Sequence, residues 1–99
     1  MDMICEELRT SLGGNQPPNG LTVPLLALWW DAKDDWNRAH EIAQSVETPD
    51  AAWVHAYLHR KQGDTGNAAY WYRQASQPNS TLPLDLEWEE IISALLARS

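Results

Sequence analysis

Residues 51–62 read AAWVHAYLHRKQ, residues 63 and 64 are Gly-Asp, and residues 65–75 read TGNAAYWYRQA. Set 100° apart, the first segment is apolar nearly all the way round, the pattern of an interior helix. Ala51, Val54 and Leu58 form one stripe, while Trp53 and Tyr57 lie on another side with Arg60 beside them, so two surfaces are covered. His55 and His59 fall one turn apart and point the same way. In the second segment Ala68, Tyr72 and Ala75 recur at helical spacing with Trp71 adjacent, the period of a helix leaning on its neighbour. Thr48 suits the N-cap, Pro49 the first helical position, and Asp50 the positive helix end. Gly63 can take the left-handed cap, Asp64 caps the second helix, and Pro78 stops it. The stretch therefore predicts a helical hairpin.

Working outward, Leu21–Lys33 and Trp36–Val46 predict a second hairpin, with Thr22 as its cap, Pro24 in the first turn and Asp34-Asp35 at the turn. Trp36, Ala39, Ala43 and Val46 line one face of its second helix, and His40 sits at the border of that stripe. Beyond the loop after Pro78, Trp88, Ile91, Ile92, Leu95 and Leu96 give Leu84–Arg98 an inner face. Glu87, Glu89 and Glu90 read as a solvated first turn favoured by the helix dipole. At the start, Ile4, Leu8 and Leu12 allow a short helix, docked or frayed, before the turn-rich GGNQPPNG of residues 13–20. The expected organisation is a mobile segment over residues 1–20 and a single helical domain over 21–99.

Bulk properties narrow the function classes. A formal charge of −7 opposes nucleic-acid binding, which needs a cationic surface. The single cysteine, Cys5, excludes an internal disulfide framework, and the acidic N-terminus lacks the basic flank of a secretory signal. No stretch approaches the length of a membrane span. These features predict a soluble, cytoplasmic protein without nucleic-acid or membrane partners. Six Trp beside three Tyr and no Phe predict amphipathic walls, because each indole N–H needs a hydrogen-bond partner.

The two hairpins match each other at an offset of 29 residues, with small residues Ala39 and Ala68 four positions after the turn aspartates Asp35 and Asp64. The block KQGDTGNAAYWYRQA, with Ala68, Tyr72 and Ala75 after a Gly-Asp turn and Ala27 and Ala56 in the first helices, resembles the tetratricopeptide repeat. The unit is shorter than that family's ~34 residues, and His59 stands where the family has an aromatic. The resemblance implies an all-α fold of two antiparallel hairpins with a C-terminal capping helix. It also implies a concave face formed by the first helices. The blocks LWWDAKDDWNRAHEIAQ and WVHAYLHRKQGDTGNAAYWYRQA further resemble a group of small bacterial proteins, which brings no catalytic residues to carry over.

Two constellations carry the functional readings. On the concave face implied by the resemblance, Trp30, Asp31, Trp53, Tyr57, Arg60, Asn67 and Trp71 would form an aromatic groove for a protein or peptide partner. The plain alternative is that these aromatics are core and that Asp31 pairs with Arg60. His55 and His59, with His40 from the preceding hairpin, form the second constellation: an i, i+4 pair can hold a metal and a third imidazole can complete it. Ala56 occupies the place of the glutamate in the HExxH zinc motif, so that motif's general base is missing. The alternative is three packing histidines bonded to Asp31, Asp35 or carbonyls. No cofactor motif is present: P-loop, dinucleotide-binding glycines and GxSxG are all absent. The leading expectation is thus a noncatalytic binding module. The others are a metal or small-ligand site on the histidines and self-association through Trp-rich surface.

Overall fold

The computed structural model describes residues 5–98. The chain forms α1 (Cys5–Ser11), α2 (Val23–Ala32), α3 (Trp36–Gln44), α4 (Pro49–Lys61), α5 (Thr65–Gln74) and α6 (Leu84–Arg98), and the described residues contain no strand. The fold is all-α: α2 with α3 and α4 with α5 make two hairpins, and α6 packs on both α2 and α4. Residues 1–4 of the expected N-terminal helix lie outside the described residues.

The 29-residue offset is visible in backbone geometry. Asp34 (φ 63°) and Gly63 (φ 88°) hold equivalent left-handed positions. Around them Asp34 N–H donates to Asp31 O and Asp35 N–H to Trp30 O, while Gly63 N–H donates to Arg60 O and Asp64 N–H to His59 O. Both pairs satisfy terminal carbonyls in the same way, with one bond nested inside the other. Asp35 and Asp64 then cap the following helices by accepting from Arg38 N–H and Asn67 N–H. Thr48 caps α4 through Ala51 N–H, as the sequence implies, whereas Thr22 has the extended backbone of a cap without the side-chain bond.

The core runs along the α2, α4 and α6 layer. Leu28, Trp29, Val54, Leu58, Ile91 and Ile92 are fully buried. Three indoles find the partners they need: Trp29 donates to Ser11 Oγ, Trp36 to Leu58 O, and Trp88 to Leu28 O. The N-terminal helix is docked rather than frayed: Leu8 is 0% exposed, α1 packs on α6, and Lys33 Nζ holds the carbonyls of Leu12 and Gly14. No described helix is long and apolar enough to cross a membrane.

Glu87 is not part of a solvated turn but is 0% exposed, accepting from Arg60 Nη1 at 2.7 Å and from the Tyr72 hydroxyl. It stands one turn before Ile91 on the inner face of α6, and Arg60 of α4 supplies the countercharge that makes burial of a carboxylate tolerable.

Candidate metal centre

His55 and His59 lie on consecutive turns of α4, and α3 packs across α4 so that His40 meets them from the first hairpin. His40 Nε2 and His55 Nε2 are 3.0 Å apart. One ligand-capable nitrogen from each of the three rings falls within 4.8 Å of the others. The rings of His55 and His59 stack with centroids 4.8 Å apart. Both histidines of α4 are buried and His40 is half-buried.

Indoles flank the cluster on two sides. Trp36 stacks on His40 at 4.9 Å and 8°, and Trp71 of α5 stacks on His55 at 4.0 Å and 13°. These contacts fix the planes of His40 and His55, and the His40 ring meets His55 and His59 edge to face at 82° and 76°. His59 Nδ1 is buried without a hydrogen-bond partner among the described residues. Burial lowers the pKa of His55 to about 4, with the neighbouring His40 and His59 adding to the shift. His40 is also lowered, first by burial and then by His59, against a smaller opposing effect of Glu41. Both rings are therefore neutral near pH 7, the form in which an imidazole lone pair can bind a metal.

The carboxylates considered as histidine partners are engaged elsewhere. Asp31, 2% exposed, accepts from the Tyr57 hydroxyl at 3.0 Å and from Lys61 Nζ at 2.9 Å. Asp35 caps α3. Asp31 does not pair with Arg60, whose guanidinium turns to Glu87 and to Leu82 O. The cause lies in register: Lys61 reaches Asp31, while Arg60 faces α6.

The residues assigned to an aromatic groove divide among several places. Asp31 and Tyr57 are joined by their hydrogen bond, and burial followed by the Asp31 charge raises the tyrosine pKa. Trp53 is 6% exposed beneath Arg98, and Trp30 lies half-buried under Arg38, whose guanidinium is 4.2 Å from the ring centroid. Asn67 belongs to the exposed turn, where its side chain donates to Asp64 and helps to lower that carboxyl's pKa. Trp71 joins the histidines instead. Sequence reasoning placed Trp36 on a core face and missed it as a wall of the cluster; the signal was its i, i+4 spacing to His40.

Beside the cluster a cavity of about 540 Å³ opens between α3, α4 and α5. His55 and Trp71 form part of its wall, with Ala43, Val46, Tyr70 and Gln74 among the other lining residues. Comparison of the chain with models of protein families, with curated proteins and with solved structures gave no match.

Proposed function

We propose that this protein binds a divalent transition-metal ion of the zinc class through His40, His55 and His59. The observation that carries the reading is the convergence of three imidazoles, one of which keeps a buried nitrogen without a partner. Two nitrogens bound tetrahedrally to zinc lie ~3.3 Å apart at Zn–N distances of about 2.0–2.1 Å. The 3.0 Å His40–His55 contact, a hydrogen bond in the metal-free chain, is close to that value, so an ion would take the place of the shared proton once both rings present Nε2 lone pairs, with a His59 nitrogen within 4.8 Å. An all-imidazole set suits zinc, copper or nickel; magnesium and calcium take oxygen ligands. The acidic composition and single cysteine support a cytoplasmic setting.

A second reading, a protein- or peptide-binding module, draws on the repeat resemblance. Asp31, Trp53 and Tyr57 offer it little surface, so it rests on exposed residues such as Tyr70, which is 45% exposed at the cavity rim.

Native mass spectrometry with metal analysis, on protein purified without chelator or affinity metal and then titrated with zinc, tests the first reading. One ion per chain is expected, and it should be lost in His55→Ala and in His59→Ala. A chain that stays metal-free at stoichiometric zinc, or variants that bind as the parent does, would overturn it.

A further inference from the structure

Resting on that metal reading, we infer that the ion keeps one coordination position open to the cavity between α3, α4 and α5, and takes there the carboxylate of a small organic monoanion. Three observations support this. Only His40, His55 and His59 form a ligand cluster among the described residues, and no fourth His, Cys, Asp or Glu joins it. Zinc-class ions take at least four ligands, so a three-histidine site leaves a position for an exogenous donor, as open zinc sites do. His55 and its stacking partner Trp71 belong to the wall of the cavity, whose volume of about 540 Å³ falls within the range of small-molecule sites.

The ligand class follows from charge and lining. Three neutral imidazoles leave the full double charge on the ion, so an anionic oxygen donor is favoured over a neutral one. The lining contains neither Lys nor Arg, which leaves the ion as the group that would hold an anionic head. Ala43, Val46, Pro49, Ala52 and Trp71 offer apolar surface for a short hydrocarbon body. Glu47, also in the wall, disfavours a second negative charge on the ligand and so selects monoanions over dicarboxylates or phosphates.

Cobalt(II) provides the test, because its visible spectrum reports both loading and a change of ligand. The cobalt-loaded protein is titrated with acetate, propionate, butyrate and inorganic phosphate. Saturable spectral change is expected with the monocarboxylates, with affinity rising about fourfold per added methylene, and weaker binding is expected for phosphate. Val46→Asp, which puts a charge on the apolar wall, should load cobalt normally and lose at least tenfold in butyrate affinity. If cobalt binds and the spectrum ignores every carboxylate, or answers phosphate better than butyrate, this inference fails while the metal reading stands. If cobalt does not bind the parent chain, both fail.

Discussion

Replacing His59 by leucine should make the metal-free protein more stable. His59 is 8% exposed, and its Nδ1 is buried without a partner among the described residues. An unsatisfied buried polar atom costs about 1–3 kcal/mol, and substitution by an apolar side chain of similar volume removes that cost. Against this stands the loss of ring contacts with His55, His40 and Trp36, centroids 4.8, 5.2 and 6.0 Å apart; leucine keeps most of their apolar burial, so their loss together costs about 1 kcal/mol. The balance is a gain of about 1 kcal/mol, or about 4–8 °C in melting temperature for a domain of this size. Urea unfolding in the presence of a chelator, followed by tryptophan fluorescence, measures it. Zinc should invert the order: at a hundred times its dissociation constant it stabilises the parent by about 2.7 kcal/mol, and a variant with two histidines gains far less. Thermal melts with zinc, and with magnesium as the control, read that inversion. A His59→Leu protein less stable than the parent by more than about 1 kcal/mol in chelator would refute the reasoning, because it would mean that Nδ1 is satisfied.

Three further outcomes are expected. The metal-free protein should lose stability as pH falls from 7 to 5: the folded pKa of His55 is lowered to about 4, so the unfolded state binds more protons in this window. The loss from His55 is about 2 kcal/mol at pH 5, and a flat denaturation midpoint across that range would contradict it. Arg60→Met removes the ion-pair partner of a fully buried Glu87 and should cost about 3–5 kcal/mol in urea unfolding; adding Glu87→Leu should restore part of the loss, and a strictly additive double variant would show that the two residues do not interact. Asp34→Gly, at a left-handed position that disfavours a Cβ, should raise the melting temperature, consistent with a relief of about 1 kcal/mol; a lower melting temperature would mean that the aspartate side chain contributes more than its backbone costs.

The elements of this fold were legible where their signals are local. Thr48, Pro49, Gly63 and Asp64 announce helix ends through their own backbone preferences, and both ends of α4 and the start of α5 fall within two residues of where those signals place them, whereas α5 ends at Gln74, short of Pro78. What escaped depends on distant partners. The spacing of Leu8 and Leu12 allows a helix, but Leu8 is buried because α6 lies far along the chain, and nothing within residues 1–20 decides between a docked and a frayed helix. Glu87 looks solvated beside Glu89 and Glu90, and only its place one turn before Ile91 places it on the inner face. The candidate site shows the same division. His55 and His59 share a sector by helical spacing alone, whereas the arrival of His40 requires the crossing of α3 over α4. The pairing of Asp31 with Lys61 rather than Arg60 was hidden because both cations lie on α4 and their choice is made by the position of α6.

The histidines sit at the joint between the two hairpins: His40 belongs to one and His55 and His59 to the other. Each hairpin closes locally through its own turn bonds, whereas the joint between them is held by the packing of α2, α3 and α6 on α4. An ion held by all three rings, as proposed, would act as a rivet across that seam. It would add little to the collapse of the chain, since the rings converge only once the hairpins have docked, and it would act on the way out by making separation wait for release of the ion. With the ion bound, the lifetime of the assembled state would be set by how fast the metal is released.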